Sequence, residues 1–355
     1  MFYIQLTTMP IFLFLLTLCF SISANAAWDN PTDRYKDEYK KHLSASCPIA
    51  SDNMKHFVYF AKDRKAIKSH PLLNNPRFVG AQIMYSWSDL EPQKDVYDFS
   101  IILEDYEYLK KHGKKLFIQL QDATFYSENK AVPNYLLDKA YDGGAVQQYT
   151  DDGNSEGWVA KRWNKQVRTR FALLLQALGR QFDGKIEGIN LQETAIGVSV
   201  KTDPSFNEKN YVTGIKANML ALKQAFPSST TMQYANFVNG EWLPWEDKGY
   251  LKSIYQYGEK IGMGLGAPDL MVKRRGQLNH ALALMHENKY SVPLGIAIQD
   301  GNYIGQTNTT EVVDKRNNIV PMLHSFSQYF LKVKYMFWGY QEPYFSEDVL
   351  TCFNA

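Results

Sequence analysis

The chain has 355 residues, of which 45% are hydrophobic, 21% charged and 14% aromatic. A chain this apolar and this weakly charged buries a core, which excludes disorder, and 22 glycines without a triplet repeat exclude a collagen-like rod. With 39 Lys and Arg against 37 Asp and Glu, the net charge is +2, which gives nucleic acid no basic stripe to bind.

Residues 1–26 hold no Lys, Arg, Asp or Glu. An apolar run from Ile11 to Phe20 precedes Ala24-Asn25-Ala26, the small-x-small pattern of a secretory cleavage site. The expectation is a signal peptide over 1–26, a single domain over 27–355, and a secreted or periplasmic product with no membrane contact after cleavage. Cys19 leaves with the signal, so Cys47 and Cys352 remain, either bridged in an oxidising compartment or as two buried thiols. The seven His residues show no metal-binding spacing, and no metal or cofactor is expected. Asn308-Thr309-Thr310 is a glycosylation sequon.

From residue 55 onward, apolar runs alternate with amphipathic stretches. The expected strands are Phe57–Phe60, Phe78–Met84, Lys115–Leu120, Ile186–Leu191, Thr231–Phe237, Gly262–Leu265, Pro293–Ile298 and Tyr335–Trp338. The expected helices are Ile101–His112, Val167–Phe182, Tyr211–Ala225, Lys248–Lys260, Gly276–Asn288 and Glu311–Leu331. Strands alternating with helices imply parallel βαβ units. Neither glycine-rich nucleotide fingerprint occurs, and eight strands fit a closed (β/α)8 TIM barrel better than an open sheet. The long connection from Gln121 to Lys185 contains Asp142-Gly143-Gly144 and Asp151-Asp152-Gly153-Asn154.

Barrel chemistry sits where strands end. The exits, taken from the second strand onward, supply Trp87, Asp89 and Glu91; Gln121 and Asp122; Gln192 and Glu193; Asn236, with Trp242 and Trp245; Asp269; Gln299 and Asp300; and Trp338, Gln341 and Glu342. Carboxylates, amides and aromatics suit carbohydrate, because rings stack on sugar faces and the polar groups bond hydroxyls. Two carboxylates on different strands also meet the needs of glycosidic cleavage. Trp158 and Trp163 are further aromatics of this kind, whereas Glu91 and Asp98 read as structural.

The segment from Ser86 to Phe99, with Trp87, Leu90-Glu91-Pro92 and Tyr97-Asp98-Phe99, resembles the second-strand motif of clan A glycoside hydrolases. That clan includes β-galactosidases, endo-glucanases and mannanases. Lys115–Leu120, Val132–Leu137 and Ile186–Glu193 are similar to its following segments. The resemblance implies a barrel that hydrolyses a β-linked poly- or oligosaccharide with retention, with Glu193 as general acid/base. It also implies that Gln192 stands for the clan's asparagine and that Trp338 floors a sugar subsite. The clan's nucleophile is a glutamate ending the seventh strand, where this chain has Gln299-Asp300. Asp300 is therefore the first candidate nucleophile, Glu342 the second, and Asp122 or Asp269 further ones. Trp87, Gln121, Asp122, Gln192, Asn236, Trp242, Gln299 and Trp338 are the expected substrate contacts. Two alternatives stay open. One is a barrel that lost its nucleophile at Gln299 and only binds carbohydrate. The other is a polysaccharide lyase, whose cations would come from Lys273-Arg274-Arg275.

Overall fold

A computed structural model describes residues 34–242, 244–307, 309–316 and 318–354. The expected signal peptide and Asn308 of the sequon lie outside the described residues.

Eight parallel strands close into a barrel in the order β1 (Lys55–Tyr59), β2 (Phe78–Ser86), β3 (Lys115–Gln121), β6 (Gly188–Leu191), β7 (Thr230–Tyr234), β8 (Gly264–Ala267), β9 (Leu294–Ile298) and β10 (Tyr335–Gly339). Each expected strand overlaps one of these. Their residues are mostly buried because a barrel strand is covered on both faces. The intervening β4 (Ala145–Tyr149) and β5 (Ser155–Ala160) form an antiparallel hairpin within the long connection after β3. Asp142-Gly143-Gly144 leads into this hairpin, and Asp151–Asn154 turns it.

The alternation of side chains along each strand sorts residues to two sides. Phe57, Tyr59, Phe117, Met232, Tyr234, Ala297, Tyr335 and Phe337 fill the barrel interior. Val58, Ile83, Ile118, Ile189, Leu265, Ile296 and Trp338 face outward into the helical layer. Gly266 and Gly295 make room for Met232, whose side chain a Cβ at either position would meet within about 3 Å. At the N-terminal end, Tyr335 Oη and Lys55 Nζ both donate to the Glu187 carboxylate, plugging the barrel floor.

The helices are α2 (Ser100–Lys111), α3 (Lys165–Phe182), α4 (Glu208–Ala225) and α5 (Tyr250–Ile261), with short α1 (Trp87–Leu90) at the β2 exit. Two expected helices are interrupted. Gly276–Asn288 divides into α6 (Arg275–Leu278) and α7 (Ala281–Glu287), because His280 leaves helical geometry and turns its ring toward Glu241. The stretch Glu311–Leu331 becomes helical only at α8 (Ile319–Ser325) and continues as a wider, π-type turn over Phe326–Leu331. The chain ends in α9 (Leu350–Phe353).

Cys47 and Cys352 form a disulfide, with Cα atoms 4.7 Å apart. It joins the segment before β1 to α9, beside the seam where β1 pairs with β10. Among the described residues, no helix is long and apolar enough to cross a membrane.

Candidate active site

Glu193 follows β6 at the C-terminal mouth of the barrel and is half-buried. Asn236, two residues past β7, donates from Nδ2 to Glu193 Oε2 at 2.6 Å. Thr194 holds Asn236 in place through its backbone N–H at 3.2 Å. Behind Glu193, the guanidinium of Arg162 makes a bidentate pair with Asp122 at 2.6 and 2.8 Å. Arg162 also donates to the Glu193 carbonyl at 2.8 Å and to Tyr211 Oη at 3.0 Å. The backbone carrying Glu193 is thus fixed by a buried ion pair.

Burial pushes the Glu193 carboxyl up to about 8, and the negative charges of Asp269 and Glu156 add to the rise. The Asn236 hydrogen bond and the Arg162 charge oppose it. Asp269, two residues past β8, is also raised by burial, against the hydrogen bond from Asn302 Nδ2 at 2.9 Å. Burial thus raises both carboxyls, and at Glu193 the Asp269 charge adds to it.

Tyr59, the last residue of β1, packs in the barrel interior. Burial raises its phenol, and Tyr234, Asp300, Glu193 and Asp269 raise it further. Asp300, after β9, is exposed, and the protein around it raises its carboxyl. Gln341 fixes that turn by accepting from the Gly301 N–H at 2.8 Å. Asn302 ties the two loops together, accepting from the Gln299 N–H at 2.8 Å while it holds Asp269.

Several expected contacts are corrected by their positions. Trp338 is 0% exposed. Its place in the pleat turns it outward, where Nε1 donates to His56 Nδ1 at 3.2 Å. Trp87 is also 0% exposed and donates to Glu91 at 2.8 Å. Neither ring reaches a sugar. Asp122 is taken up by Arg162, and the Gln121 amide oxygen accepts from Ser86 Oγ at 2.7 Å. The Gln192 amide oxygen accepts from the Asp122 and Ala123 N–H groups at 3.0 and 2.7 Å, so it shapes the β3 exit and is not free for a sugar hydroxyl. Glu342 turns to Ser346, accepting from its Oγ at 2.6 Å. Gln299 is half-buried beside the mouth, and Trp242 is 39% exposed on the loop after β7, near Phe237. Trp245 and Tyr126 are also exposed, on loops following β7 and β3. Lys130 lies over the Trp158 ring at 3.9 Å, and Trp163 packs edge-on against Phe206.

The reading of the exits missed Tyr59, Glu156, Arg162 and Asn302. Tyr59 ends the first strand, and the exits were read from the second. Glu156 and Arg162 reach the site through the β4–β5 hairpin, whose path no local pattern reveals. Glu91 is structural as expected, receiving Trp87 and Arg170. Asp98 accepts from the Ser100 N–H at 2.9 Å in the first turn of α2. Lys273 and Arg274 line a cavity of about 450 Å³ with Met271, Gly305, Gln306 and Thr307. The fold also gathers Asp52, His56 and His324 near the start of β1. Asp52 accepts from both rings at 2.9–3.2 Å and meets Arg77 at 3.4 Å. The cluster is thus held by its own hydrogen bonds.

No protein-family model and no curated protein matches this sequence. Solved structures do match. The catalytic domain of a β-amylase from Paenibacillus polymyxa superposes with a TM-score of 0.56 at 10% identity, covering 82% of this chain and 93% of that one. A family 39 glycoside hydrolase from Bacteroides cellulosilyticus superposes with a TM-score of 0.51 at 12% identity, covering 81% of this chain and 56% of that one. The barrel is one that glycoside hydrolases use.

Proposed function

We propose that this protein is a glycoside hydrolase acting on a β-linked poly- or oligosaccharide, with Glu193 as general acid. The observation that carries the reading is Glu193 at a strand exit, held by Asn236 and raised by burial and by the charge of Asp269 from a separate strand exit. A carboxyl held near 8 keeps its proton at neutral pH and protonates a leaving glycosidic oxygen. Asp269 then serves as the second carboxylate. Gln299 stands where the resemblance called for a nucleophile, and an amide does not attack. Asp269 is favoured over Asp300 because it is the leading charge acting on Glu193. Exposed Trp242, Trp245 and Tyr126 supply faces on which sugar rings stack.

With Asp269 as the second carboxylate, hydrolysis does not require a glutamate at Gln299. A lyase acting on uronates would find cations at Lys273 and Arg274, but the carboxylates at the mouth repel an acidic chain. The disulfide and the N-terminal pattern support an exported protein.

The test is release of reducing ends from β-glucans, mannans, xylans, galactans and glucosamine polymers by the wild type, Glu193→Gln and Asp269→Asn. Both variants should lose at least about a thousandfold in kcat while remaining folded. Wild-type activity retained in either one removes that residue from the mechanism. The anomer released first, followed by NMR, identifies Asp269 as nucleophile if configuration is retained, or as base if it inverts.

A further inference from the structure

Beside the carboxylates of the mouth lies a cavity of opposite character. Its volume is about 450 Å³, and it sits between the loops that follow β8 and β9. Lys273 and Arg274 line it, and its lining includes no carboxylate. Lys273 Nζ rests over the Tyr39 ring at 5.0 Å. Among the described residues, no hydrogen bond or ion pair engages the Arg274 guanidinium. The neighbouring acid Glu311 accepts from Gln306 Nε2 at 3.1 Å.

One buried side chain joins this cavity to the candidate active site. Asn302 Nδ2 donates to Asp269 Oδ1 and to the Gln306 carbonyl, each at 2.9 Å, and meets Met271 Sδ at 3.6 Å. Gln306 and Met271 are walls of the cavity. Gln277 secures the same loop by donating to the Asp269 carbonyl at 2.6 Å. Arg274 is near enough for its charge to oppose the rise of the Asp269 carboxyl. A glycan lying against Asp269 therefore has its adjoining unit beside Arg274.

Size and charge select the occupant. The volume suits a small-molecule site and far exceeds the roughly 30 Å³ share of one water, so it accommodates a sugar unit and not merely an ion. Two cations without a carboxylate favour an anion, and a guanidinium receives a carboxylate or sulfate through paired hydrogen bonds. Glu193 and Asp269 disfavour a like charge at the cleaved unit itself. We infer that this cavity is a subsite for an anionic substituent, carboxylate or sulfate, on the glycan unit next to the one cleaved, with Arg274 as its main contact and Lys273 as its second. This rests on the glycan-hydrolase reading above and names its substrate class, a β-linked glycan with sparse acidic substituents.

The experiment separates binding from turnover by using Glu193→Gln protein. Calorimetry compares xylotetraose with and without one glucuronate branch, galactotetraose with and without one sulfate, and a tetra-uronate. In at least one pair the acidic member should bind at least about tenfold tighter, and added salt should narrow the ratio. The pair that responds tells a carboxylate from a sulfate. Placing Arg274→Glu in this background should reverse the preference, and Lys273→Gln should reduce it by a smaller factor. Equal affinities within both pairs, a ratio unchanged by Arg274→Glu, or tightest binding of the tetra-uronate would overturn the inference. Hydrolysis of neutral glycans alone by the wild type would overturn it while leaving the hydrolase reading intact. Selective binding of an acidic ligand, reversed by Arg274→Glu and without turnover in the wild type, would uphold the subsite and overturn hydrolysis.

Discussion

The strongest consequence of the Glu193 environment concerns stability, and it is independent of any substrate. Its carboxyl rises from an ordinary 4.5 to about 8 in the folded protein. Between these values the native state keeps a proton that the unfolded chain has lost. Unfolding free energy therefore falls as pH rises through this interval, and the loss is complete above pH 8. At 1.36 kcal/mol per pH unit the interval corresponds to about 5 kcal/mol. Asp269 takes up part of the displaced charge, so about 2–5 kcal/mol is expected. Glu193→Gln keeps the shape and removes the ionisation. Urea unfolding at pH 5 and pH 9 should show the variant equal to wild type within about 1 kcal/mol at pH 5 and more stable at pH 9. A stability difference that does not change with pH would refute the assigned environment, as would a variant less stable at pH 9.

Other perturbations test the supporting groups. Asn236→Ala removes a hydrogen bond that favours ionised Glu193, so the alkaline limb of kcat/KM should move up by about one to two pH units; a downward move would contradict the bond's role. Asp122→Asn leaves Arg162 buried without its counter-charge and should lower stability by about 3–5 kcal/mol in thermal unfolding, with activity falling as the Glu193 backbone loosens. Replacing Cys47 and Cys352 by serine should cost about 2–5 kcal/mol, measured against the oxidised protein, and adding reductant to wild type should reproduce the loss.

The architecture was legible because barrel strands announce themselves. Runs such as Leu116–Leu120 and Leu294–Ile298 are buried on both faces, and their apolar character survives without any knowledge of neighbours. What a run does not declare is the phase of its pleat. Trp338 follows Phe337 by one residue, and that single step carries it from the barrel interior to the helical layer. Asp122 looked free at a strand exit because its partner, Arg162, lies forty residues on, beyond a hairpin. Glu193 was legible for the opposite reason: it ends a strand and follows a clear apolar run, so its place follows from local pattern alone. Tyr59 needed the closed barrel, since only closure carries the exit of β1 across to β6 and β8.

The pairing of β1 with β10 sets a timetable for synthesis. The cylinder has no seal until Tyr335–Gly339 leaves the ribosome, because that segment bonds both to the first strand and to β9. Until then two strand edges stay bare, and the nascent chain is open to chaperones, to threading through a pore and to self-association. A stop codon ahead of Tyr335 should therefore yield an aggregating product, not a shorter stable domain. The disulfide partner Cys352 emerges later still, so the covalent lock records that the cylinder has already closed.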